Sequence, residues 1–218
     1  MIIIVVDANV EQLLAVVGAP YDTLEEVIGI SGPSDSNINI GSLKDLGVRY
    51  RELLMVGSTG MLNLGCSVRP ETRCVFIQRS CGYSWRKSLG FADIQRVISL
   101  TKGQNKDCIV MVDNCYGEFV ETSEPPMVGA DLIAGSLIKN PGGTIAPCGG
   151  YIAGRKGLVE AAAARLSAPG LGVDCGSTPG HISFSPDGWG GSQGRFTNSR
   201  SNGSQRISGA TPSFCTSS

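Results

Sequence analysis

The stretch CVFIQRSCGYSWRKSLGFADIQRVISLTKGQNKDCIVMVD, residues 74–113, holds two apolar runs with a helical pattern between them. Cys74 to Gln78 and Cys108 to Val112 are continuous runs of β-branched and apolar residues, the signature of strands covered on both faces in a parallel sheet. Between them Phe91, Ile94, Val97 and Ile98 recur at helical spacing, so a helix is expected from Phe91 to Lys102 with Gly103 as its stop. Strand, helix and strand in that order make a βαβ unit.

Working outward, Leu13 to Val17 reads as another buried strand, broken by Ala19-Pro20-Tyr21-Asp22. Thr23-Leu24-Glu25-Glu26 has the spacing of a capping box, which predicts a helix with the Thr23 hydroxyl on a free N–H and Glu26 reaching back. Residues 31–41 are a Ser/Gly/Asn/Pro surface loop. Toward the other end, the apolar run Asp131 to Ile138 leads into the Gly-rich segment Asn140 to Gly150. Tyr151-Ile152-Ala153-Gly154 and a helix over Gly157 to Leu166 come next, and Pro169-Gly170 closes that helix. This alternation predicts an α/β fold with a mostly parallel sheet flanked by helices. From Ser183 onward Leu, Val and Met are absent while Ser and Gly dominate, so residues 1–182 are expected to form the folded domain and 183–218 a disordered tail.

Composition narrows the function classes. The 218 residues are 41% hydrophobic and 17% charged, with 30 glycines, a globular balance with many tight turns. Eighteen basic and nineteen acidic residues leave a formal charge of −1, so no global field attracts nucleic acid or anionic lipid. Met1 to Val6 is too short for a membrane span, and without a basic flank or cleavage site it does not read as a secretory signal. A cytoplasmic location is expected. The Asn202 sequon then meets no glycosyltransferase. Eight cysteines, at 66, 74, 81, 108, 115, 148, 175 and 215, form no CxxC pair and read as thiols, with Cys115 and Cys148 flanking the candidate site. A single histidine, His181, makes a His-based zinc site or a Ser-His-Asp triad hard to assemble. No G-x-G-x-x-G follows a strand and no phosphate loop of the G-x-x-x-x-G-K-[ST] type occurs, which disfavours a plain nucleotide-binding domain.

The chemistry is therefore sought in Lys, Asp and Tyr. Asp113 follows the Ile109 to Val112 strand and Lys139 ends a later apolar run, so both are expected at carboxyl edges of strands, facing one crevice. A desolvated lysine there can lose its proton and act as base or nucleophile, and a nearby carboxylate can hold a proton on a pyridine nitrogen. Tyr21, where a strand hands over to a helix, could stack on such a ring. Gly142-Gly143 would let backbone approach a cofactor closely. The same residues admit plainer readings: Asp113 as a turn or cap residue, Lys139 as a solvated loop lysine, Tyr21 as packing.

GAPYDTLEEVIGI (18–30), CVFIQRSCGYSWR (74–86), VDNCYGEFVE (112–121) and GADLIAGSLIKNPGGTIAPCGGYIAGRKGLVE (129–160) closely resemble the methionine gamma-lyase-like family of pyridoxal-phosphate enzymes, also called aluminium resistance proteins. The resemblance spans roughly Glu11 to His181. It implies the large domain of fold type I, pyridoxal phosphate as cofactor, Lys139 bonded to it, Asp113 beside its pyridine nitrogen, Tyr21 stacked on its ring and Ser136 helping to hold its phosphate. It further implies that Lys139 removes the Cα proton of an amino acid. A thiol then leaves from Cβ or Cγ, and a 2-oxo acid and ammonia remain. Arg79, Tyr83, Trp85 and Arg86 are placed near the cofactor by the same resemblance. On their own terms Trp85 reads as core and the arginines as surface charges or carboxylate binders.

Members of this family are longer at both ends, so the chain reads as a truncated member, without the usual phosphate-gripping loop in front and without the C-terminal domain behind. Two expectations stand side by side: a carbon-sulfur lyase acting on a sulfur-containing amino acid, impaired by truncation, or an inactive fragment that keeps the α/β core and associates with other subunits. A homo-oligomer is expected in either case.

Overall fold

A computed structural model describes residues 12–15, 20–30, 41–52, 68–142, 146, 149–166 and 213–217. The chain divides into two compact units, one being Val6–Asp113 with Met127–Ala130, the other containing Asn114–Pro126 and Asp131–Ser218.

In the first unit four strands run parallel. β1 (Gln12–Ala15) pairs on one side with β2 (Arg49–Glu52) and on the other with β3 (Cys74–Gln78), which pairs in turn with β4 (Ile109–Asp113). All five residues of β3 are buried, which is why CVFIQ carries no alternation of polar and apolar side chains. Val75, Phe76 and Ile77, with Val110, Met111 and Val112 opposite, form the heart of this core, and each contributes roughly 1.5–3 kcal/mol by leaving water. Helix α2 (Phe91–Gln104) buries Ile94, Val97, Ile98 and Thr101, a single stripe at spacings of three and four. Asp93 accepts the free N–H of Gly90 at its start. Gly103 does not end the helix. Asn105 does, by turning its side-chain amide to the carbonyls of Arg69, Pro70 and Thr72 and so fastening the helix end to the turn that precedes β3.

The capping box expected at Thr23 does not form. Helix α1 (Asp22–Ile28) begins two residues earlier than a Thr23 cap requires, because Tyr21 is extended and its carbonyl already accepts from Leu24 and Glu25. The Asp22 carboxylate takes the Thr23 N–H that a capping side chain would have satisfied. At the other end Gly29, with φ of +88°, turns the chain against Ser42, and a β-carbon there would strike the Ser42 hydroxyl. Most of the loop expected over 31–41 lies outside the described residues.

In the second unit β5 (Leu132–Ser136) pairs antiparallel with β6 (Gly150–Arg155), which leads directly into α3 (Lys156–Leu166). Helix α3 buries Val159, Ala162 and Ala163. Gly154, with φ of +146°, has no room for a β-carbon beside the Asp131 carbonyl, which accepts the Arg155 N–H, and the Arg155 guanidinium reaches the Asp131 carboxylate at 3.2 Å. The stretch from 183 falls outside the described residues except for β7 (Ser213–Ser217), which pairs parallel with β6 where no strand was expected. Its Phe-Cys-Thr centre is of strand-favouring types, and β6 offers it an edge. The pairings described are thus mostly parallel, with the β5–β6 pair the antiparallel one.

Candidate active site

The carboxyl ends of β3 and β4 carry one group of the candidate residues, wholly within the first unit. Register pairs the last residue of each strand, Gln78 with Asp113, and the next residue's N–H, that of Arg79, donates to the Asp113 carbonyl at 3.0 Å. Asp113 is 1% exposed. Its carboxylate is therefore enclosed at the strand's carboxyl edge, which is not the solvated position of a surface turn. The structure brings Tyr21 to the same edge: its N–H donates to Gln78 Oε1 at 3.2 Å, while Gln78 Nε2 donates to the Ser80 carbonyl. Gly82, with φ of +58°, lets the following turn pass over both, since a β-carbon would lie 2.9 Å from Gln78 Nε2 and 3.6 Å from the Tyr21 β-carbon.

The QRSCGYSWR block wraps this edge in a way that differs from the plain reading of its residues. Arg79 is buried, and its Nε donates to the Leu89 carbonyl at 3.4 Å. Arg86 is half-buried; its Nη2 donates to the carbonyls of Gln78 and Ser80, and its Nη1 to that of Lys87. Burial holds the Arg86 guanidinium below its ordinary value, and its Nε finds no hydrogen-bond partner among the described residues. Both arginines donate to backbone carbonyls, where surface charges or carboxylate binders were expected. Trp85 and Tyr83, by contrast, stand out in solvent. Trp85 is not core because residues 81–86 form successive turns beyond the end of β3, outside the layers that would cover it.

The second unit carries a separate group of candidate residues. Ser136 closes β5 half-buried, and the Lys139 N–H donates to its carbonyl at 3.3 Å, which closes a tight turn. Leu137 anchors this turn in the core, with its N–H on the Gly149 carbonyl. Lys139 is half-buried, and its Nζ sits 4.5 Å from the centroid of the Tyr116 ring, within cation–π range. Gly142 fits only as glycine, because a β-carbon would collide with the Leu137 carbonyl; Gly143 and Cys148 lie outside the described residues.

Around that turn is a part-buried polar network, centred on the buried Asn114 and Glu118, that the sequence reading missed. Tyr151 Oη donates to Glu118 Oε1 at 2.8 Å, Asn114 Nδ2 reaches Tyr151 Oη at 3.2 Å and Glu124 Oε2 at 2.8 Å, and Asn140 Nδ2 donates to the Glu118 carbonyl at 3.1 Å. Burial first, and Glu118 second, push the Tyr151 phenol far above its ordinary range. Tyr116 and Phe119 hold left-handed backbone, φ of +65° and +61°, a strain that persists only where surroundings enforce it. One signal could have revealed the network: Gly135 in the middle of the β5 run, where a side chain would collide with Glu118 and the Tyr151 ring. None of Cys74, Cys81, Cys108 and Cys115 is in a disulfide.

Of the predicted residues, then, Tyr21 and Asp113 meet through Gln78, and Ser136 and Lys139 share one turn. Among the described residues no helix is long and apolar enough to cross a membrane.

Comparison with known proteins shows the family and the fold. The sequence model of the family described as methionine gamma-lyase matches residues 2–184. The Bacillus subtilis (strain 168) protein YnbB, described as uncharacterized, is 45% identical over 170 residues, covering 77% of this chain and 39% of its own. A crystal structure from Listeria monocytogenes, provisionally described as a cystathionine beta-lyase involved in aluminum resistance, superposes with a TM-score of 0.67 at 46% identity, over 74% of this chain and 39% of that one. The carbon-sulfur lyase involved in aluminum resistance from Clostridium novyi NT gives 0.66 at 45% identity, over 75% and 38%. The chain spans between about two-fifths and one half of the length of the curated relatives it matches. These likenesses bear out the α/β fold and its resemblance to the large domain of fold type I enzymes.

Proposed function

The chain belongs to the methionine gamma-lyase family, and from that membership we propose that it binds pyridoxal phosphate through Lys139 and serves carbon-sulfur lysis of a sulfur-containing amino acid. Because it spans well under two-thirds of the relatives it matches, the activity, substrate and partners of the whole protein all belong to this proposal. So do a cytoplasmic location, a homo-oligomeric state, and the aluminium resistance named for the Listeria and Clostridium proteins.

The observation that carries the reading is the tie from Tyr21 through Gln78 to the strand edge where Asp113 is buried. The residues fit the cofactor by their chemistry. A buried carboxylate suits a protonated pyridine nitrogen, an aromatic residue suits a ring face, and a half-buried amine on a rigid turn suits an aldehyde. When bound, pyridoxal phosphate supplies that aldehyde and a ring that spreads negative charge from the neighbouring carbon.

The chain's own residues would do the rest. Lys139 would hold the cofactor and move the proton at the substrate Cα, as general base and then general acid. Asp113 would keep the proton on the ring nitrogen, which deepens the ring's capacity for charge. Tyr21 would cover the ring face and limit its tilt, and the Ser136 hydroxyl would donate to the phosphate. Titration of the purified chain with pyridoxal phosphate tests this: a visible absorption band that saturates and is absent in Lys139→Ala supports the reading. If no band forms at high cofactor concentration, the chain is a non-catalytic α/β fragment.

A further inference from the structure

We propose that Glu118 is a positioning residue for Lys139, acting through the hydrogen bonds it makes on both sides of the β5 turn. This rests on the reading of Lys139 as the reactive amine. Glu118 is 3% exposed, yet its place in the chain, inside the loop Asn114 to Val120, gives it no role in either strand or helix. Its carboxylate accepts the Tyr151 phenol proton at 2.8 Å, and its backbone carbonyl accepts from Asn140, the residue next to Lys139, at 3.1 Å. Two residues before it, the Tyr116 ring lies under Lys139 Nζ. One residue therefore connects to the lysine turn through a direct neighbour, and to the aromatic ring under the amine by a two-residue backbone link.

The network is anchored against bare backbone. The Glu118 carboxylate and the Tyr151 ring occupy the space that a side chain at Gly135 would fill, one residue before Ser136, whose carbonyl closes the Lys139 turn. Asn114 holds Tyr151 from the far side and Glu124 holds Asn114, while Glu124 Oε1 also takes the Phe119 N–H. Interlocked buried hydrogen bonds of this kind rigidify what they touch, because breaking one leaves a polar group without water or partner. Burying a carboxylate here makes sense if the position of the lysine turn matters.

The test reads the amine itself and does not depend on catalysis. The full chain is treated with formaldehyde and cyanoborohydride under limiting conditions, and methylation of Lys139 is measured by mass spectrometry against the exposed Lys156 in the same digest. Glu118→Leu keeps the bulk and removes the acceptor, whereas Glu118→Gln keeps both. We expect the Lys139 to Lys156 ratio to change about three- to tenfold in Glu118→Leu and in Tyr151→Phe, the worth of one hydrogen bond, and to return near the wild-type ratio in Glu118→Gln. A merely structural role moves melting temperature without this pattern. Equal ratios in Glu118→Leu and wild type overturn the proposal, as do equal shifts in Glu118→Leu and Glu118→Gln. Should Glu118→Leu fail to fold, Asn140→Ala, at an exposed position, breaks the outer link, and an unchanged ratio there overturns the proposal as well. Failure of the cofactor reading is seen separately, as loss of the pyridoxal-phosphate band in the wild type.

Discussion

The backbone N–H of Tyr21 donates to the side chain of Gln78, fifty-seven positions further along the chain, at 3.2 Å. Gln78 in turn lies opposite Asp113 in the parallel register. One buried amide therefore places the first residue before a helix at the edge where the candidate carboxylate sits.

Gln78→Leu should separate these residues while preserving bulk. The Tyr21 N–H and the Ser80 carbonyl each lose the Gln78 partner, a cost of about 1–3 kcal/mol in urea denaturation. Pyridoxal-phosphate affinity should fall in parallel. A variant with wild-type stability and affinity would show that the tie is incidental.

Gly135→Ala puts a methyl group where the Glu118 carboxylate and the Tyr151 ring already lie. Overpacking of this kind costs about 1–3 kcal/mol, and equilibrium unfolding should show it. The exposed position Gly157, where a β-carbon meets nothing within 4 Å, serves as control: Gly157→Ala, in helix α3, should be neutral or stabilising.

Stability should fall above pH 10. Tyr151 has its phenol raised far above the ordinary value of 10.0, by burial first and by Glu118 next. Below that pH both folded and unfolded chains keep the proton. Above it the unfolded chain releases the proton and the folded chain retains it, so the unfolded state binds fewer protons and the folding free energy drops, by up to about 1.4 kcal/mol per pH unit. Tyr50, raised by burial and by Glu52 but only half-buried, moves the same way and adds less. Urea melts from pH 9 to 11 should flatten in Tyr151→Phe; an identical slope in variant and wild type would contradict the assignment.

The strand CVFIQ was legible to the residue because burial on both faces removes every polar interruption, and α2 was legible because Ile94, Val97 and Ile98 share one face. Asp113 and Lys139 stood out as polar ends of apolar runs. Local spacing misled at Thr23, where the helix starts earlier, after Tyr21, and the Thr23 N–H is taken by the Asp22 carboxylate. It also misled at Trp85, whose burial depends on a covering layer and not on its type. Gln78, Glu118 and Tyr151 were invisible for a common reason. Each acts through a partner more than thirty positions away, and only register or a closed turn brings such partners together.

The account depends most on the proposed roles of the amine at position 139 and of the carboxylate at position 113. Incubating the chain with pyridoxal phosphate, reducing with borohydride and mapping the digest tests this directly. The cofactor's mass should appear on the peptide containing Lys139, saturating at one per chain, and Asp113→Asn should need a higher cofactor concentration to reach the same labelling. Label spread over the exposed lysines, with Lys139 no richer than Lys156 and no effect of Asp113→Asn, would contradict it.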